Sequence, residues 1–153
     1  MILDRLAKPT EVIRPGMQVS SFFERCIRYN VSGLPYVNEQ GILCGRLSMR
    51  HLFRETCIPP YLLRTAHFLG DDIDAVNIPH QQAFDLLARS VDSFVLKQYA
   101  FASPNSPIIK GLAMMEQFGT NYIFIVDGSD YHGIVTRQDI ARRMIEATKD
   151  FIL

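Results

Sequence analysis

The run Ile123-Phe124-Ile125-Val126, the turn Asp127-Gly128-Ser129-Asp130 and the stretch Gly133-Ile134-Val135-Thr136-Arg137-Gln138-Asp139-Ile140 decide the fold, because their pattern occurs twice. Internal repetition is the first thing to look for in a chain, since it sets the architecture. The earlier copy reads Leu34-Pro35-Tyr36-Val37, then Asn38-Glu39-Gln40-Gly41, then Ile42 to Leu47, closing on Ser48-Met49-Arg50-His51-Leu52. Working outward, Ile13-Arg14-Pro15 leads through Val19 into an amphipathic stretch ending at Tyr29. Ala102-Ser103-Pro104 leads in the same way through Ile108 to a stretch ending near Gly119. Pro15 falls on Pro104, Val19 on Ile108, Val37 on Val126 and Gly45 on Gly133, with a single residue lost in the turn.

Each half therefore predicts helix, strand, turn, strand, helix. Ile108, Leu112, Met115 and Phe118 recur at helical spacing and should bury one face. Gly41 and Gly128 stand where a hairpin turn needs positive φ. A two-stranded hairpin cannot cover its own sheet, so the halves should pack sheet to sheet about a pseudo-two-fold axis. The expected fold class is α/β (α+β), with two pseudo-symmetric helix-strand-strand-helix halves packed through their small sheets. Residues 1–56 form the first repeat, 57–97 a connection and 98–153 the second repeat. Ile58-Pro59-Pro60-Tyr61 stops the preceding helix. Leu62 to Leu69 and Gln81 to Leu87 read as short helices on the periphery, where Leu62, Leu63, Phe84, Leu86 and Leu87 call for burial. A structureless connection of that length is improbable in a compact protein.

Of the 153 residues 48% are hydrophobic and 21% charged, which excludes a disordered chain. Sixteen basic residues match sixteen acidic ones, for no net charge, which argues against a nucleic-acid binder. No apolar run approaches the roughly 18–20 residues that cross a bilayer. Met1 to Arg5 lacks the pattern of a secretory leader, and three cysteines without CxxC spacing make a poor disulfide framework. A reduced, cytoplasmic setting is the expectation, with Cys26 and Cys44 as core residues.

The doubled pattern resembles the CBS-domain pair, the tandem module named after cystathionine β-synthase. Val31-Ser32-Gly33-Leu34-Pro35 with Gly41 and Gly45 carry the resemblance in the first half. Ile123 to Asp127 and Gly133 to Ile140 carry it in the second. The resemblance implies a regulatory, non-catalytic module that binds adenosine-containing ligands (AMP, ADP, ATP or S-adenosylmethionine) in two related clefts. In each, the small-polar-x-x-Asp motif of one half meets the entry segment and strand of the other. One cleft would then use Thr136 and Asp139 with Thr10, Val31, Ser32, Gly33, Leu34 and Pro35. The second, with Ser48, His51, Asn121, Tyr122 and Ile123, departs from the pattern. His51 stands where the ribose-binding Asp belongs, and neutral imidazole offers one acceptor where a carboxylate has two oxygens. That cleft is expected to be empty or weakened. The resemblance also implies a homodimer and a separate effector protein.

Read locally, Thr136-x-x-Asp139 supports two roles. It is the pattern of a capping box, which stabilises a helix without any ligand. At a strand-to-helix junction, it also places a carboxylate where both hydroxyls of a ribose can donate to it. Ser32 and Asn121 are not basic, so a phosphate chain finds no partner at those positions, and Arg14, Arg50, Arg137 and Arg142 read as solvated surface. His67 with Asp71, Asp72 and Asp74 suggests a metal set, but Gly70 interrupts the helix that would bring them together, and an acidic loop is the simpler reading. No nucleophile elbow, Walker loop or dinucleotide fingerprint is present, so an enzyme is not expected. The two remaining classes are an adenosyl-ligand sensor and a ligand-free dimerisation module with degenerate clefts.

Overall fold

The computed structural model describes residues 2–70 and 78–149. The first repeat holds α1 (Val19–Tyr29), β1 (Gly33–Val37), β2 (Leu43–Ser48) and α2 (Met49–Thr56). The second holds β3 (Phe101–Ala102), α5 (Ile108–Phe118), β4 (Tyr122–Asp127), β5 (Asp130–Thr136) and α6 (Arg137–Thr148), with α3 (Leu62–Thr65) and α4 (His80–Ala88) between the repeats. No described helix is long and apolar enough to cross a membrane.

The repeats match at the level of single residues. Helix α1 buries Val19, Phe22 and Cys26, and α5 buries the counterparts Ile108, Gly111 and Met115. Each helix ends on a left-handed residue, Asn30 (φ 54°) or Gly119 (φ 63°), whose backbone N–H closes the last turn. The hairpin glycines take the positive φ expected of them, 78° at Gly41 and 63° at Gly128. Strands β1 and β2 pair antiparallel, Gly33 opposite Ser48, as β4 and β5 do with Tyr122 opposite Thr136. Strand β3 runs parallel to β4 with Ala102 opposite Ile125, and Ile13 lies against Tyr36 at the matching place in the first sheet. The sheets meet in a shared core where Leu34 and Leu47 pack with Tyr122, Phe124 and Ile134.

The lead-in segments are exchanged. Residues 2–8 open the first half of the chain but lie on the second repeat, where Lys8 and Ile134 swap backbone hydrogen bonds of 3.0 Å each. Residues 90–96 precede the second repeat but lie on the first, where Arg46 and Leu96 do the same at 2.8 and 2.9 Å. Each segment passes so close that a side chain is excluded beneath it. A Cβ on Gly133 would stand 2.6 Å from the Lys8 carbonyl oxygen, and one on Gly45 would stand 2.7 Å from that of Leu96. The stretch from Val91 to Leu96, which reads in sequence as the tail of the connection, is thus the structural counterpart of the segment leading into the first repeat.

The connection is helical where it was expected to be, with a 3-10 turn over Ala66–Phe68 extending α3. Only part of its apolar set is buried. Leu62 and Leu86 are covered, whereas Leu63, Phe84 and Leu87 face outward, Phe84 at 68% exposure. Among the described residues, α4 meets the repeats chiefly along α1 and buries Leu86 there. Cys44 also departs from expectation: it is exposed, because strand alternation turns it away while Gly45 and Leu47 point inward. Cys26 is buried, and that burial pushes its thiol up to about 12. Asp71, Asp72 and Asp74, read above as an acidic loop, lie outside the described residues.

Candidate functional site

The clefts lie on either side of the pseudo-axis, which is marked by a side-chain hydrogen bond between equivalent residues. Ser32 Oγ donates to Asn121 Oδ1 at 2.9 Å. Beside it, Gly33 leaves out a side chain and the ring of its counterpart Tyr122 fills the space. Equivalent positions on a two-fold axis compete for one volume, so one glycine and one large ring satisfy both.

In the first cleft, Thr136 caps α6. Its N–H and its hydroxyl both donate to Asp139 Oδ2 at 2.9 Å, and the Asp139 N–H donates to Thr136 Oγ1 at 3.2 Å. This is a complete capping box. The other carboxylate oxygen, Oδ1, accepts from Arg142 at 3.2 Å. Both oxygens that a ribose diol would use therefore already have donors within the chain. The Thr10 and Tyr131 hydroxyls are 2.6 Å apart, and burial pushes the Tyr131 phenol up to about 12. Gly33, Leu34 and Pro35 are buried, Leu34 within the shared core. Beside Thr136 lies a cavity of about 260 Å³ lined by Val31, Ser32 and Thr136 together with Asn30, Asn121, Arg137 and Gln138, and Asp139 is not in its lining. Pockets for small organic ligands usually run from about 300 to 1,000 Å³.

The second cleft is larger, at about 600 Å³. Ser48, His51, Asn121 and Tyr122 line it, joined by Arg46, Arg50, Arg54 and, from the opposite repeat, Thr120, Glu116 and Arg137. Ile123 is absent from the lining, being buried in the second repeat's own core. Ser48 caps α2 and accepts the His51 N–H at 3.2 Å. Arg46 is pinned on the floor: its Nε donates to the Gln98 carbonyl at 2.9 Å and its Nη1 to the Tyr122 hydroxyl at 2.8 Å. Burial raises the Tyr122 pKa, and the neighbouring Arg46 charge opposes that rise. Arg137 donates to Glu116 at 3.1 Å across the mouth. Four guanidinium groups thus face one carboxylate in a chain without net charge, which gives this concavity a positive potential.

Sequence reading placed Ser48, His51, Asn121 and Tyr122 in this cleft but missed Arg46 and Arg54 and left Arg50 and Arg137 on the surface. The signals were present. Arg46 stands two residues before Ser48 and so shares its face of β2, and Arg54 follows Arg50 by one helical turn.

The family model of the CBS domain matches residues 5–56 and 88–146. No curated protein matches the sequence significantly. Among solved structures, a CBS domain-containing protein of unknown function from Bacillus anthracis str. Ames Ancestor shares 14% identity, with a TM-score of 0.66, covering 95% of this chain and 94% of its own. The CBS domain pair of protein MJ0100, solved in complex with 5′-methylthioadenosine and S-adenosyl-L-methionine, shares 15% identity at a TM-score of 0.64, covering 96% of this chain and 98% of its own. CBSX2, solved in complex with AMP, shares 14% identity at 0.64 over the same proportions. With both repeats matched by the family model and the paired architecture common to these structures, the chain belongs to the CBS-domain family and carries its two domains as a pair.

Proposed function

We propose that the chain is a non-catalytic regulatory module that binds an adenosine-containing ligand between its repeats, and that the Ser48–His51 cleft is the principal site. The carrying observation is the cavity of about 600 Å³ formed by both repeats at once. A ligand there touches α2 and the Leu96 segment on one side and the α5–β4 corner on the other. Its binding biases the packing of the halves wherever two arrangements hold it unequally. The AMP complex of CBSX2 and the adenosyl complexes of MJ0100 support the ligand class. The Thr136–Asp139 cleft, with its carboxylate engaged in capping, is the secondary site. The signal passes to a separate effector, in a cytoplasmic setting, from a homodimer whose contact face includes the exposed Ile109 and Leu112 of α5.

Thermal unfolding in the presence of AMP, ADP, ATP or S-adenosylmethionine tests this. A ligand at 100 times its dissociation constant adds about 2.7 kcal/mol, which in a chain of this size raises Tm by roughly 5–10 °C. No shift with any of the four contradicts the reading. The ligand-free dimerisation module is then favoured, and the hydrogen bonds that Asp139 accepts within the chain are the observation on its side.

A further inference from the structure

We infer that the His51 cleft selects its ligand by negative charge and takes a nucleoside polyphosphate in preference to a monophosphate or a sulfonium nucleoside. The inference rests on the reading above that an adenosine-containing ligand occupies this cleft. The evidence is an asymmetry between equivalent positions. Where the second repeat has Ile134, Gln138 and Asp139, the first has Arg46, Arg50 and His51, and Ile134 is buried in the shared core. Arg142 and Arg54 are also counterparts, but Asp139 pairs with Arg142 at 3.2 Å, whereas the residue three before Arg54 is His51, not a carboxylate.

Among the described residues, neither Arg50 nor Arg54 has a carboxylate within ion-pair distance. Among the described residues Arg46 bonds to neutral acceptors, the Gln98 carbonyl and the Tyr122 hydroxyl, and has no carboxylate partner. Arg137 alone is paired, with Glu116. Like charges gathered in a concavity repel one another, and a bound anion relieves that repulsion. Arg50 and Arg54 are one turn apart on α2, with their Cβ atoms about 5–6 Å from each other. A di- or triphosphate brings more negative charge and more acceptor oxygens to this pair than a single phosphate does. Each guanidinium that gains a phosphate contact makes a charge-assisted hydrogen bond. S-adenosylmethionine brings a cationic sulfonium into the same field and is disfavoured.

Calorimetric titration of the full chain with ATP, ADP, AMP, S-adenosylmethionine and inorganic tripolyphosphate tests the inference, on the parent and on R50A/R54A. Both arginines are exposed, so the double variant should keep its fold, and its Tm verifies that. ATP should bind at least tenfold more tightly than AMP, with S-adenosylmethionine weakest, and added salt should narrow the gap. R50A/R54A should bring ATP down to the level of AMP. Equal affinity for ATP, AMP and S-adenosylmethionine, unchanged in the variant, overturns charge selection and leaves the adenosine reading standing. Tripolyphosphate binding as tightly as ATP supports charge selection and overturns the adenosine reading. No binding by any of the five overturns both.

Discussion

Gly45→Ala probes the exchanged segments directly, because the added methyl has nowhere to go. Its Cβ would stand 2.7 Å from both the Leu96 carbonyl oxygen and Val95 Cγ1, so the segment must lift off β2. Lifting breaks the two backbone bonds between Arg46 and Leu96. At a net 0.5–1.5 kcal/mol each, the loss is about 1–3 kcal/mol, or roughly 3–10 °C in Tm. Urea unfolding of parent and variant measures it. Gly133→Ala places the same obstacle beneath Lys8 and should cost a comparable amount. The two differ at the ligand site. Leu96 lines the His51 cleft, so G45A should also weaken nucleotide binding there, while G133A should not. Stability within 0.5 kcal/mol of the parent in both variants would refute the exchange of lead-in segments.

Asp139→Ala removes the capping box and should lower stability by about 0.5–2 kcal/mol, while nucleotide affinity stays within twofold; a tenfold loss of affinity would instead make Asp139 a ligand contact. The Gly16 N–H bonded to Asp92, with help from Ser90 and Tyr36, holds that carboxyl below its ordinary value. A lowered folded-state pKa gives stability that is present above the unfolded value near 3.9 and lost as pH falls through the folded one. Asp92→Asn should therefore flatten the acid limb of a urea-midpoint profile between pH 2 and 6, and an unchanged slope would remove this assignment. Sedimentation at micromolar concentration should show a dimer, and Leu112→Glu together with Ile109→Glu should shift it to monomer; a parent that sediments only as a monomer contradicts the dimer.

The repeat was legible because its marks are local: alternation in the strands, three- and four-residue spacing in the helices, glycine in the turns. The same marks located Gly45 and Gly133 as a matched pair. They did not reveal why both are glycine, since the atoms that exclude a side chain belong to Leu96 and Lys8, each from the other repeat's lead-in. For the same reason 90–96 looked like linker. Thr136-x-x-Asp139 reads in sequence as two possibilities, and the structure shows that the capping geometry is present. Cleft size was out of reach of the sequence. It depends on Tyr122 filling the place beside Gly33 and on the inward aim of Arg46, both of which are tertiary facts. His51 drew attention as a missing carboxylate, whereas the structure also places its neighbours Arg50 and Arg54 on the lining of the same cleft.

A crystal structure of the chain grown with ATP is the most direct measurement. The nucleotide should lie in the His51 cleft, its phosphates within hydrogen-bond distance of Arg50 and Arg54, with the Thr136–Asp139 capping box intact. A nucleotide seated instead on Asp139, with its ribose replacing the Thr136 contacts and the His51 cleft vacant, would contradict the assignment of the site.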